Sequence, residues 1–169
     1  MDLIEGILTR RSIRYYANRE ISQQQLDTIL KAGMYAPSAS NQQPWHFIVI
    51  KERQILDKIK EVHPYAKMLS EANMAILVCG DTNIELSKGY WVVDCSAATQ
   101  NMLLAVHGLG LGAVWLGIYP RVERINEIRT LFDLPENIQP LSLISIGYPN
   151  EQKEMPDRFK PERVHYNSW

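Results

Sequence analysis

Apolar positions along the chain repeat first with a helical period. Leu3, Ile4, Ile7 and Leu8 fall on one helical face, and the pattern stops at Thr9 and a basic run from Arg10 to Arg14. Ser22 followed by Gln25 fits a capping box, after which Leu26, Ile29, Leu30 and Ala32 mark a second helix ending near Pro37. Residues 37–44 are small and polar and read as a loop into a strand at 45–50, rich in aromatic and β-branched side chains. Helix returns at 54–62, where Ile55, Leu56, Ile59 and Val62 share a face, and His63-Pro64 closes it.

Short apolar runs at 75–79, 113–118 and 141–146 predict three further strands, and 122–132 a surface helix. Between them, 91–109 is apolar nearly all round, which suits a helix in the middle of a core or at an interface. A polar tail, 149–169, ends in Val164, Tyr166 and Trp169, which read as anchors, so it is expected to wrap over a neighbour. Helices outnumber strands, and no repeat, linker or low-complexity segment divides the 169 residues. The expectation is one domain of α+β (mixed α/β) class.

Charge narrows the chemistry. Eighteen basic residues against nineteen acidic ones leave no global positive field, so any anion site must be a local cluster and a nucleic-acid partner is not expected. Cys79 and Cys95 sit in apolar stretches without CxxC spacing and read as reduced core thiols. The amino terminus has acidic residues where a signal peptide carries positive charge. The longest apolar stretch is broken by Thr99, Gln100, Asn101 and His107, short of the roughly 18 residues of a membrane span. A cytoplasmic location without a membrane partner is expected.

Arg10, Arg11, Ser12 and Arg14 suit a phosphate monoester, because guanidinium groups bind phosphate oxygens bidentately; a solvated basic turn has the same composition. Pro37, Ser38, Ala39, Ser40 and Asn41 open a proline-pinned segment of donors and acceptors that suits a heteroaromatic edge, or is a plain helix-to-strand loop. The glycines at 108, 110 and 112 are no dinucleotide fingerprint, since the order is helix, glycines, strand. His46, His63, His107 and His165 lack metal-ligand spacing, and no nucleophile elbow is present, so neither a metal nor a covalent nucleophile is expected. Asp94, near the start of the long helix, suits the helix dipole. Trp45, Tyr90, Trp91 and Trp115 are either a stacking wall for a ligand or ordinary core.

Taken together, the arginine-serine run, the APSASNQQPW loop, the apolar long helix, the WLG strand and the tail DRFKPERVHYNSW resemble the nitroreductase family of FMN enzymes across essentially the whole chain. The resemblance implies a central, mostly antiparallel sheet of four to five strands flanked by helices. It also implies an intertwined homodimer with FMN at the subunit interface and the tail 149–169 packed on the partner. Matched by position, Arg10, Arg11 and Ser12 fall at the ribityl phosphate, with Arg158 as a second phosphate contact. Arg14 falls near the pyrimidine edge, Lys67 near the ring, and Leu116 and Gly117 on the strand whose backbone N–H faces flavin N5. Pro37, Ser38, Ala39, Ser40 and Asn41 match the segment that reaches the flavin from the other subunit.

The implied chemistry is ping-pong: hydride from NADH or NADPH to N5, then to a nitroaromatic, quinone or related electrophile. It needs no side-chain acid or base, and Arg14 serves as electrostatic stabiliser of the reduced flavin. The same motifs also suit dehalogenation, enone reduction, flavin fragmentation or non-catalytic FMN storage. The chain lacks the long insertions that larger relatives carry after Asp81 and after Gly117.

Overall fold

The protein was analysed as a computed structural model, which describes residues 2–169. Five strands make one antiparallel sheet. β2 (Trp45–Ile50) pairs with β3 (Met74–Asp81), β3 with β5 (Ile138–Pro149), and β5 with β4 (Gly112–Gly117), while the two-residue β1 (Tyr16–Ala17) joins the far end of β5. Helices separate the strands in sequence: α1 (Leu3–Thr9), α2 (Gln23–Met34), α3 (Arg53–Val62), α4 (Trp91–Gly108) and α5 (Val122–Phe132). None of the described helices is long and apolar enough to cross a membrane.

The helices cover both faces of the sheet, which is why β3 reads as an unbroken apolar run rather than an alternating one. Its period of two sends Met74, Ile76 and Val78 into the core beneath α2 and α4, and Ala75, Leu77 and Cys79 into the core beneath α3 and α5. β5 runs longer than the expected 141–146, because Gln139 and Pro140 at one end, and Tyr148 and Pro149 at the other, are held by pairing rather than by burial of an apolar pattern. A register shift opposite Val78 and Cys79 leaves Leu141 without a partner. That bulge turns Leu141 to the α4 side while Leu143 faces α3 and α5.

The predicted capping box closes α2: Ser22 Oγ accepts from Gln25 N at 3.2 Å and Gln25 Oε1 accepts from Ser22 N at 3.0 Å. At Gly33 a Cβ would collide with Met102, so the glycine lets α2 lie directly on α4. α4 buries one face, including Cys95, Ala98, Thr99, Met102 and Val106, while Val93 on the other face is 61% exposed. The polar Thr99 is satisfied inside the core by Ser142 Oγ at 3.0 Å and by the Cys95 carbonyl at 2.7 Å. α1 buries none of its residues; Leu3, Ile4, Ile7 and Leu8 all face outward. Beyond β5, every residue but Glu151 is exposed, Phe159, Val164, Tyr166 and Trp169 included.

Candidate functional site

The C-terminal half of β4 has an open outer edge. Near the strand's start that edge is occupied, because Ile13 N donates to the Ala113 carbonyl at 2.9 Å. Farther along, Ile118 N donates to the Leu141 carbonyl at 3.1 Å. Antiparallel pairs alternate between bonded and unbonded, so this bond turns both the N–H and the C=O of Gly117 away from β5. The Gly117 carbonyl is met there by His63 Nε2 at 3.1 Å and by Arg124 Nη1 at 2.8 Å. His63 Nδ1 accepts from Tyr65 N at 3.3 Å, which leaves the ring proton on Nε2 to be donated to Gly117. Burial pushes the His63 imidazole below its usual range; the Gly117 bond opposes this and the Arg124 charge adds to it. The ring is therefore neutral.

Beside Gly117 lies a cleft of about 630 Å³ that draws Arg14, Tyr65, Lys67, Trp115 and Leu116 together from three separate stretches of chain. Its lining holds two fixed cations and no carboxylate. Arg14 is held by its backbone: Glu151 accepts from Arg14 N at 2.6 Å and from Tyr15 N at 3.3 Å, and pairs with Lys153 at 2.5 Å. Burial raises the Glu151 carboxyl, but Lys153 and the two backbone N–H groups outweigh it, so the carboxyl stays below its ordinary range. The Arg14 guanidinium itself has no hydrogen-bond or ion-pair partner among the described residues.

A second cavity, about 390 Å³, gathers Arg10, Arg11 and Arg158 with the apolar Leu8, Met155 and Phe159. Burial, then the charges of Arg11 and Arg158, hold Arg10 below its usual range, and Asp157 is the one carboxylate in the lining beside the three arginines. Arg11 is oriented by the Glu154 carbonyl at 3.1 Å and the Arg10 carbonyl at 2.6 Å. Ser12, half-buried, bridges to Ala113 in parallel fashion. Residues 10–14 thus run from one cavity to the other.

The loop before β2 stands elsewhere. It lies on the edge strand opposite β4, and within one chain Pro37, Ser38, Ala39, Ser40 and Asn41 do not line the Gly117 cleft. Its backbone is unusual: Ser40, Asn41 and Gln43 all take positive φ, near 50°. Asp94, only 3% exposed, holds it there, accepting from Ala39 N at 2.9 Å and from Gln42 Nε2 at 2.6 Å. Gln42 in turn accepts from Leu86 N at 2.8 Å and Ser87 N at 3.0 Å.

Several of these roles are absent from the sequence reading. His63 reads only as a helix stop, Arg124 as part of a surface helix, Glu151 as tail, and Asp94 as a dipole partner rather than a loop anchor. The one local hint is a carboxylate set in an otherwise apolar helix. Of the four wall candidates, Trp115 lines the cleft and Tyr90 is exposed, whereas Trp45 and Trp91 belong to the core, Trp91 packing edge-to-face on Tyr119 at 5.2 Å. Cys79 and Cys95 are free and fully buried; burial pushes the Cys79 thiol up to about 12. Among the described residues no group of three or more histidines, cysteines and carboxylates is placed to hold a metal.

Residues 7–148 match the family model described as the Nitroreductase family. A Methanothermobacter thermautotrophicus protein provisionally named NADH dehydrogenase/NAD(P)H nitroreductase is 52% identical over 169 residues, covering 100% of this chain and 88% of the relative. A crystal structure from Parabacteroides distasonis with the same provisional name superposes with a TM-score of 0.95 at 42% identity, covering 99% of this chain and 98% of the other. A Desulfovibrio desulfuricans protein provisionally named a nitroreductase and crystallised in complex with FMN gives a TM-score of 0.87 at 32% identity, covering 100% of this chain and 98% of the other.

Proposed function

The chain belongs to the nitroreductase family, and from that premise we propose that it is an FMN-dependent oxidoreductase that passes electrons from NADH or NADPH to an electrophilic organic acceptor such as a nitroaromatic or a quinone. The observation that carries this reading is the outward-facing Gly117 N–H over a cleft that holds Arg14 and Lys67 and no carboxylate. The fit to FMN rests on shape and charge together. Residues 10–14 connect the larger cleft, which suits a planar ring, to the cavity of Arg10, Arg11 and Arg158, which suits a phosphate. FMN, when bound, supplies a two-electron carrier that the nicotinamide reduces and the acceptor reoxidises.

The chain's own residues bind and bias that carrier. Arg10, Arg11 and Arg158 neutralise the phosphate, and Ser12 adds a hydroxyl donor. Arg14 stabilises negative charge at the pyrimidine edge of the ring, since its guanidinium has no other partner. Lys67 adds positive charge at the cleft, Leu116 an apolar wall and Gly117 a backbone donor. No side chain is required as acid or base.

A homodimer belongs to the same proposal. The open apolar face of α1, Val93 of α4 and the exposed aromatic side chains of the tail 149–169 are apolar groups suited to contact with a second copy. Such a copy would bring Pro37, Ser38, Ala39, Ser40 and Asn41 to the other subunit's ring. The test is anaerobic mixing of FMN-loaded protein with NADH and with NADPH, followed by a nitroaromatic or a quinone. Bleaching of the flavin band and its return on adding acceptor are expected; tight FMN binding without bleaching points to storage, and no FMN binding overturns the reading.

A further inference from the structure

Gly117 is the one glycine in the lining of the cleft. It has no side chain, and nothing stands within 4 Å of the place a Cβ would occupy. Its own N–H and C=O both face away from β5, so the ladder reaches these two peptide planes only from the neighbouring residues, Ile118 N donating to the Leu141 carbonyl at 3.1 Å and Leu116 standing opposite Leu143. Lacking a Cβ, the glycine can still tilt these planes about its own φ and ψ, and an N–H offered to a ligand from a tilting peptide loses its aim. Two donors hold the carbonyl from the side that the ladder leaves open. His63 Nε2 reaches the Gly117 carbonyl at 3.1 Å from the turn after α3, and Arg124 Nη1 reaches it at 2.8 Å from α5.

We propose that His63 and Arg124 are positioning residues: they clamp the Gly117 carbonyl from two different elements and so hold the Gly117 N–H aimed into the cleft. The proposal rests on the flavin-site reading for its consequence in catalysis, but the clamp itself is a property of the chain.

The surroundings are built to keep the clamp closed. His63 is 1% exposed, and Tyr65 N fixes its tautomer by donating to Nδ1. Ala66 N donates to the His63 carbonyl at 3.0 Å, which pins the turn that carries the ring. Tyr65 braces both donors at once, edge-on to the His63 ring at 6.3 Å and under the Arg124 guanidinium at 5.2 Å. A buried imidazole could fill this space with its proton on either nitrogen. The Tyr65 N–H selects the form that donates to Gly117, which a role in packing alone would not require.

Three variants separate donation from packing. Leucine in His63→Leu fills the space without a donor, glutamine in His63→Gln places an amide N–H at a similar reach, and Arg124→Met removes the second donor from α5. In FMN-loaded protein, His63→Leu is expected to slow bleaching by NADH on the order of ten- to a hundredfold. FMN retention should stay within about twofold, because the arginine cluster is untouched, and KM for NADH should move little. His63→Gln should restore most of the rate, and Arg124→Met should fall between parent and His63→Leu. In the protein without FMN, 15N relaxation should show the Gly117 amide rigid in the parent and in His63→Gln, and mobile in His63→Leu and Arg124→Met.

Parent-like bleaching and a rigid Gly117 amide in both donor-deleting variants would overturn the proposal, and so would His63→Gln behaving like His63→Leu. If His63→Leu does not fold, Arg124→Met carries the test on the half-exposed face of α5. A parent that fails to bind FMN would sink the flavin reading, while the amide measurement would still decide the clamp.

Discussion

Two regions at opposite edges of the sheet, the Gly117 end of β4 and the 37–43 loop before β2, hold irregular backbone ready for a ligand in opposite ways. At Gly117 the residue has no side chain, and a carbonyl is held by donors, neutral His63 and cationic Arg124. In the loop, Ser40, Asn41 and Gln43 keep their side chains in the left-handed region, and donors are held by an acceptor, the buried carboxylate of Asp94. Chemistry explains the contrast. A strand edge that turns its N–H outward turns its C=O outward too and leaves it to be met by donors, whereas a loop whose donors point inward is met by a buried acceptor. The first region holds cations and the second a carboxylate bonded by uncharged donors, so only the first attracts an anionic ligand by itself.

In one chain the two regions do not share a cleft, so the comparison breaks or stands first on the homodimer. Ile4→Glu, on the open face of α1, is expected to abolish the dimer and with it FMN retention. Light scattering together with the colour of the purified protein checks this; a dimeric, yellow Ile4→Glu would show that α1 is not the contact. Asp94→Ala comes next. Loss of an acceptor that serves one buried and one half-buried donor should cost about 3 kcal/mol in chemical denaturation, and Asp94→Asn, which keeps one acceptor oxygen, should cost less. Equal stability of parent and Asp94→Ala would remove the anchoring role.

Arg14→Ala sharpens the other side. Its guanidinium is uncommitted, so little folding stability should be lost, while reduction of FMN-saturated protein should slow by about tenfold. Equal rates in variant and parent would dismiss charge stabilisation by Arg14.

The smallest effect is in pH. The folded pKa of His63 lies below the unfolded value, so the unfolded chain binds the proton more readily. Its contribution to stability is complete above about pH 6.5 and is lost as pH falls from there through the lowered folded value. Denaturation midpoints at pH 7.5 and 5.5 should therefore differ more in the parent than in His63→Gln. An equal difference in both would assign the pH response to other groups; His107, also lowered by burial, would contribute with the same sign.

What could be read from the sequence was whatever rests on neighbours in sequence. The faces of α2 and α3, the Ser22 capping box, the buried run of β3 and the adjacent arginines 10, 11 and 14 are local patterns, and local patterns carry their own period and charge. The resemblance to a family added roles for Lys67, Leu116, Gly117 and Arg158 by position. Tertiary structure alone decided that Arg14, Lys67, Leu116 and Gly117 line one cleft, that a bulge turns Leu141, and that β1 pairs with the end of β5. It also decided the two anchors: His63 meets Gly117 across 54 residues, and Ala39 meets Asp94 across 55. Such pairings leave no periodic trace, because a single donor or acceptor satisfies a distant backbone group through the packing of whole elements, and nothing in the residues on either side announces which group that is.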